Sequence, residues 1–476
     1  VDSGKSTLCG VLCRGKLDNG RGLVRINLFN HKHELETGRT SSISQRIMGF
    51  NLKGECVNYN LNEHSMTWGD IIERSCKIIS FLDLAGHERY LKTTVSGMTG
   101  HMPDYCFLLV GANMGVTRMT REHLGLALAL RIPLIVIVTK IDMCPEGVYK
   151  QTMSDINRIL KRKGVRKLPT IIKNEDDMVT CVKHMSNDRI VPIFQISNVT
   201  GENLSLLRKF LNLVPARIQW TLLRTQEPEV LIDQTYFVTG VGTVVCGTVI
   251  QGQVAPNDTL LVGPDGNGKF VPVVIKSVHA KRVPVKLVQA GQRAGFALKK
   301  IKRANLRKGM VLCSKKLNPR STWCFKSEVI ILYHSTTIHT NYQPVVQCLT
   351  MRQSAKITAI SEKDVLRTGD RATMEFQFLY RPEYLKKGMR IIFREGCCKG
   401  IGIITEVLHD KEPVFRTAAT KYPQQSTAAK KAAAAKPGAK SSTKPAGKAS
   451  SKPSVKPTTS KGGKGGKPDS GKASKK

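Results

Sequence analysis

No two of the chain's thirteen cysteines have CxxC spacing. That absence removes the commonest zinc-ribbon and dithiol patterns. An odd, scattered set is no disulfide framework either, so a reducing, cytoplasmic compartment is expected. Aromatic residues are scarce, at 6% with three Trp, which leaves little material for stacking single-stranded bases. No apolar run is long enough to cross a bilayer, and no membrane partner is expected. The longest run, Leu124 to Val138, is broken by Arg131 and Pro133 and reads as a helix end followed by a buried strand. No internal repeat is evident. Acidic residues are also few, 36 against 75 Lys plus Arg.

The resulting formal charge of +39 has two sources: residues 413–476 carry 16 Lys/Arg against the single Asp469, a net +15, which leaves +24 on the body. An excess of that size favours an acidic polyelectrolyte, RNA above all. The tail is built from Lys, Ala, Pro, Gly and Ser. It cannot bury enough apolar surface to offset its ordering entropy, so residues 413–476 are expected to be disordered. The basic runs Lys161–Lys167 and Lys299–Arg303 read as solvated faces that become phosphate contacts if RNA is the partner. His31 and His33 read as part of an exposed segment, since no third metal ligand is near in sequence.

The length suits about three domains at roughly 150 residues each. From 1 to 215, short β-branched runs alternate with helical patterns. Ile78–Asp83, Tyr105–Val110, Leu134–Thr139 and Pro192–Ser197 are such runs. The alternation predicts an α/β domain with a mostly parallel sheet buried on both faces. Residues 227–318 and 319–412 are instead rich in Val, Thr and Gly with frequent turn signals, which predicts two antiparallel β-barrels.

Val1-Asp-Ser-Gly-Lys-Ser-Thr7 matches the last part of a phosphate-binding P-loop. Asp2, Ser3, Gly4 and Thr7 supply backbone around phosphate oxygens. Lys5 reaches the β- and γ-phosphates, and the Ser6 hydroxyl binds Mg²⁺. The chain opens inside this motif without Met. The first glycine and first strand are expected to lie ahead of Val1, so that this fragment binds nucleotide poorly and a longer protein binds it well. Asp83-Leu-Ala-Gly86 follows a strand, where Asp83 can hold Mg²⁺ through water and Gly86 can sense the γ-phosphate. Thr139-Lys-Ile-Asp142 follows another. The Asp142 carboxylate can accept two hydrogen bonds from guanine, the Lys140 stem can cover the base, and adenine has no matching donor pair. Ser197, Asn198 and Val199 follow a third strand and can close over the base. Each motif alone is weak; all four in order, each at a strand's C-terminal end, select a GTP site.

Asp83-Leu-Ala-Gly-His-Glu-Arg-Tyr90, Thr120-Arg-Glu-His-Leu-Gly-Leu-Ala127, Thr139–Asp142 and Val241–Val249 resemble the elongation-factor-Tu-like translational GTPases. Leu17–Gly22, Gly38–Ser42, His123–Leu130 and Phe194–Asn203 narrow the resemblance to one branch of that family. The likeness runs over residues 1–410. It implies an enzyme that binds and hydrolyses GTP with Mg²⁺, using His87 to orient the attacking water. It also implies aminoacyl-tRNA and the ribosome as partners, with the RNA exosome, ribosome rescue and mRNA turnover as further associations. Thr40 is the implied switch I ligand to Mg²⁺ and γ-phosphate, with Ser42 as the alternative under ungapped spacing. Thr139 departs from the family's usual Asn, keeping a hydroxyl and losing an amide. Two other readings stand beside this one: a GTP-regulated RNA-binding scaffold with little turnover, and a non-translational enzyme such as the GTPase subunit of sulfate-activating complexes.

Overall fold

The computed structural model describes residues 1–59, 66–332, 336–395 and 397–413. The basic tail, beyond its first residue, lies outside the described residues. Lys5–Arg14 forms α1 and Lys32–Thr37 the short α2. Strands β1 (Ser44–Phe50) and β2 (Lys77–Asp83) pair antiparallel, with Ser44 opposite Asp83, and the short α3 (Trp68–Glu73) lies between them in sequence. After α4 (Leu91–Gly100), strand and helix alternate: β3 (Cys106–Gly111), α5 (Arg118–Ala129), β4 (Leu134–Thr139), α6 (Glu146–Lys161), β5 (Leu168–Ile171), α7 (Glu175–His184), β6 (Ile190–Gln195) and α8 (Leu204–Leu213).

Four of these strands form a parallel sheet in the order β3-β4-β6-β5. Its central strand shows why the chain folds this way. All six residues of β4 are buried. Ile135 and Ile137 point to one face, with Leu8 and Leu12 of α1, Met178 of α7 and Phe210 of α8. Leu134, Val136 and Val138 point to the other, with Leu124 of α5 and Met153 and Ile156 of α6. The period of two in a buried strand that is apolar from Leu134 to Val138 therefore requires helices on both sides. Strand β2 departs from the expected arrangement. It is hydrogen-bonded to β1, and the two-stranded ribbon is separate from the parallel sheet. Ribbon and sheet meet through side chains, with the Phe81 and Phe107 rings 6.3 Å apart.

Two closed antiparallel barrels follow. The first runs Thr259–Gly263, Val311–Cys313, Glu229–Val238, Gly242–Gln251, Arg293–Leu298 and Val271–Ala280, closing back on Thr259–Gly263. The second runs Cys324–Ile331, Arg371–Phe378, Met351–Ile360, Val345–Cys348, Arg390–Glu395 and Cys397–Leu408. Phe325, Phe376, Phe378 and Phe393 fill the second interior.

Buried charge locks the barrels to each other. Glu383 of the second is fully buried, 2.9 Å from Arg307 Nη2 of the first and 3.1 Å from Arg381 Nε. Buried Glu229 of the first barrel pairs with Lys386 of the second. The α/β domain grips both barrels through α4. The Thr99 hydroxyl donates to the Leu349 carbonyl (2.7 Å), and Gln347 Nε2 donates to Thr99 Oγ1 (3.0 Å). His101, just past α4, lies 3.1 Å from Asp233 of the first barrel. Asp233 sits where the register slips between Ile232 and Gln234, and such a bulge re-aims a side chain. Arg293 holds the same carboxylate with two hydrogen bonds (2.8 and 2.9 Å).

Removing the Glu383 carboxylate leaves two guanidinium groups at a barrel interface without their acid. Breaking a buried pair in this way costs about 3–5 kcal/mol. Glu383→Ala is therefore expected to lower the denaturant midpoint of barrel unfolding clearly. An unchanged midpoint contradicts the locking role.

Candidate functional site

The site is built where α1 begins. Gly4 has φ 73°, a left-handed turn that glycine adopts without strain, and it leads directly into Lys5–Arg14. The first backbone N–H groups of α1 have no partner within the helix and face an anion favourably. A cleft of about 430 Å³ opens here, lined by Asp2 and Gly4–Thr7, by Arg25, by Gly38–Thr40, and by Gly86 and His87. A Cβ on Gly86 would clash with the Lys5 ammonium, so a side chain there would have to displace Lys5. Burial pulls the Lys5 pKa down, opposed by Asp83 and Asp2.

Three oxygens meet beneath this cleft. The Ser6 hydroxyl donates to Asp83 Oδ2 at 2.6 Å, and Ser6 Oγ lies 2.8 Å from Thr40 Oγ1. Burial pushes the Asp83 carboxyl up, against the lowering by Ser6 and Lys5. A buried carboxylate beside two hydroxyls is a fitting oxygen donor set for a hard dication, and such an ion relieves the cost of Asp83's charge. Ser42, the alternative to Thr40, is engaged elsewhere: its hydroxyl donates to Glu34 Oε1 at 3.1 Å.

The other side of the P-loop meets the remaining motifs. Thr139, fully buried at the end of β4, donates its hydroxyl to the Ser3 carbonyl at 3.0 Å. The hydroxyl that replaces the family's amide thus keeps a tie to the loop. Lys140 turns left-handed (φ 61°), and Asp142 lies exposed in the turn Ile141–Met143. Ser197 Oγ accepts from the N–H groups of Val199 (3.2 Å) and Thr200 (3.1 Å), shaping the Ser197–Val199 loop. Asn198 is buried beside Gly4 and Thr139, with its Oδ1 unpartnered among the described residues. Val199 is exposed. His87 lines the cleft at the start of the turn Glu88–Tyr90. Its Nδ1 accepts from the Arg89 N–H at 3.1 Å, so the neutral ring carries its proton on Nε2.

Sequence reasoning overlooked the residues that hold the segment between α1 and β1. Asp18 accepts from the N–H groups of Gly20 (3.1 Å), Gly22 (2.9 Å) and Val24 (3.2 Å), and its own N–H donates to the Asn198 carbonyl (2.9 Å). Glu34 is buried and receives Asn30 N (2.8 Å), His31 N (3.1 Å), Ser41 N (2.6 Å) and Ser42 N (2.9 Å), besides both serine hydroxyls. Burial alone raises its carboxyl, but the hydrogen bonds from Ser41, Ser42 and Asn30 outweigh it and hold the pKa at about 2. Glu34 thereby fixes the two residues next to Thr40. The signals were Asp-Asn-Gly for the turn, and a Glu three residues after His31 for the helix start. Arg25 and Arg39 also carried no motif of their own.

Residues 1–219 match the elongation factor Tu GTP binding domain and residues 242–313 match elongation factor Tu domain 2. GTP-binding protein 1 of Xenopus laevis is 54% identical over 410 residues, covering 86% of this chain and 62% of the relative. GTP-binding protein 2 of Homo sapiens is 46% identical over 412 residues, covering 86% of this chain and 68% of the relative. The chain belongs to the elongation-factor-Tu-like translational GTPase family. Among solved structures, the elongation factor SelB of Methanococcus maripaludis, in complex with the GTP analogue GppNHp, shares the fold. Its TM-score is 0.60 at 20% identity, covering 87% of this chain and 78% of that one. Within this translational GTPase fold, the described residues include no helix long and apolar enough to cross a membrane.

The Glu34 contacts give a direct test. Its depressed pKa stabilises the folded segment above the ordinary value of 4.5, and that contribution is lost as pH falls towards about 2. At neutral pH, Glu34→Gln removes it in full. Trypsin is then expected to cut after the exposed Lys32 and Arg39 several-fold faster than in the unaltered protein, and an equal rate contradicts the role.

Proposed function

We propose that this protein binds GTP with Mg²⁺ and hydrolyses it as a conformational switch that engages aminoacyl-tRNA and the ribosome in the cytoplasm. The observation that carries the reading is the meeting of Ser6, Thr40 and Asp83. It joins the phosphate loop, the segment before β1 and the end of β2 at one point, so occupancy by nucleotide is felt by all three. Ser6, Thr40 and Asp83 would hold Mg²⁺, and the ion would supply positive charge against the phosphate oxygens. Asp2, Ser3, Gly4 and Thr7 offer backbone to the phosphates and Lys5 offers its ammonium. Asp142 reads the guanine edge, Lys140 covers the base, and Thr139, Ser197, Asn198 and Val199 shape its surroundings.

Hydrolysis proceeds by water. The water oxygen bonds to the γ-phosphorus and the bond to the β–γ bridging oxygen breaks. The electron pair stays with GDP, and the water's protons end on inorganic phosphate and solvent. His87, with its proton on Nε2, donates to and orients that water, the role of the water-positioning residue in other phosphoryl-transfer sites. Loss of the γ-phosphate frees Gly86 and Thr40. The change passes along α4, whose end holds both barrels through Thr99 and His101.

The basic body supports RNA as the partner class. Family resemblance extends the reading to ribosome rescue, mRNA turnover and contact with the RNA exosome. The same charge also favours a second reading, an RNA-binding scaffold whose bound GTP turns over little.

Turnover separates the two. The full-length protein is expected to hydrolyse GTP slowly alone and much faster with ribosomes. His87→Ala should cut the stimulated rate by about 10²-fold or more while leaving GTP affinity within a few-fold. Undiminished stimulation in His87→Ala removes the water-orienting role, and absence of stimulated turnover favours the scaffold.

A further inference from the structure

Arg25 faces the phosphate cleft without any acidic partner. Among the described residues its guanidinium makes no hydrogen bond and no ion pair, although it lines the same cleft as Lys5, Ser6, Thr40 and His87. An unpaired arginine on a mobile surface stem would mean little, because solvent satisfies it. This one is built in place. The Asp18 carboxylate gathers the N–H groups of Gly20, Gly22 and Val24 and so fixes the start of the 3-10 turn Leu23–Leu28 that carries Arg25. Val24, its neighbour, is buried against α1, where it crowds Gly10.

Two glycines then border the guanidinium. A Cβ on Gly22 would stand 2.5 Å from Arg25 Nε, and one on Gly38 would stand 3.1 Å from Nη2. Both have positive φ, 81° and 63°. Gly38 is two residues before Thr40, on the segment that Glu34 ties down through Ser41 and Ser42. The planar fork therefore spans the gap between the turn after Asp18 and the Thr40 segment, with its donors unspent.

We propose that Arg25 is a phosphate ligand supplied in cis, contacting the γ-phosphate of bound GTP and the charge that develops as that group departs. The inference rests on the GTP reading of the cleft and deepens it. A guanidinium offers paired N–H donors that match two phosphate oxygens, which an ammonium cannot do in one plane. Its place against Gly38, two residues before Thr40 and in the same cleft as Lys5 and Gly86, sets it where the terminal phosphate would lie. In the hydrolysis written above, it donates to γ-phosphate oxygens as the water–phosphorus bond forms and the bond to the bridging oxygen breaks. It neither gives up nor accepts a proton. Inorganic phosphate then leaves, and Arg25 loses its ligand together with Thr40, which loosens the Gly38–Ser42 segment after turnover.

The test uses the full-length protein with Mg²⁺, fluorescent GppNHp and GDP, and single-turnover GTP hydrolysis without ribosomes. Arg25→Ala is expected to weaken GppNHp binding by about 10- to 100-fold, the scale of a lost charge-assisted hydrogen bond. GDP binding should change less than about 3-fold, and hydrolysis should slow by at least 10-fold. Arg25→Lys, which keeps the stem and the charge, should fall between, and it also serves if the alanine variant does not fold. Equal loss of GppNHp and GDP, or no loss of either, overturns the assignment while leaving the GTP site standing. Failure of the unaltered protein to bind either nucleotide overturns the site itself, and Arg25 with it.

Discussion

The buried Asp83 carboxylate is the constraint on which the rest of the site depends. A charge taken out of water must be compensated, and here the compensation comes from one hydroxyl of the phosphate loop, backed by Lys5 and by Thr40 through Ser6. With Asp83 itself, the groups that meet come from three separate stretches of chain. Their meeting decides how α1, β2 and the segment before β1 approach each other. It also explains why the segment needs so many internal ties. Thr40 can reach Ser6 only if its neighbours are held, and Glu34 holds them.

The same logic extends outwards from the nucleotide cleft. Asp83 ends β2, Gly86 and His87 follow it, and α4 begins four residues later. At the far end of α4, Thr99 and His101 contact the second and first barrel respectively. The barrels are joined to each other by buried pairs at Glu383 and Glu229. Both barrels are therefore tied to α4 and to each other. A bulge at Asp233 is the local device that turns a barrel carboxylate towards His101 and Arg293.

Much of the architecture was legible in the sequence because it follows from strong periodic signals. The apolar run Leu134–Val138 of β4 required helices on both faces, and the two Val/Thr/Gly-rich segments announced antiparallel barrels. The motif positions were also legible, since P-loop, Asp83–Gly86 and Thr139–Asp142 lie at helix or strand ends in the chain's own pattern. What could not be read were effects of register and approach. Nothing in Ile-Asp-Gln marks Asp233 as a bulge, because bulges arise from pairing with a distant strand. The separation of the β1–β2 ribbon from the parallel sheet is likewise a pairing choice. Spacing favoured Thr40 and left Ser42 as an alternative; the Ser6–Thr40 contact and the ties of Ser42 to Glu34 separate them. Arg25 was invisible as a ligand because an arginine carries no motif until its neighbours, Gly22 and Gly38, are seen around it.

Ser6, Thr40 and Asp83 are proposed to form one cation-dependent junction that senses the γ-phosphate. It is tested most directly by the Mg²⁺ dependence of GppNHp and GDP binding in the full-length protein, with Thr40→Ala compared against Ser42→Ala. The expected result is that Mg²⁺ tightens GppNHp binding strongly in the unaltered protein and in Ser42→Ala. In Thr40→Ala that gain should drop by about 10-fold or more while GDP binding is retained, the loss expected for a ligand to a charged group. A full Mg²⁺ gain in Thr40→Ala, or its loss only in Ser42→Ala, would contradict the account.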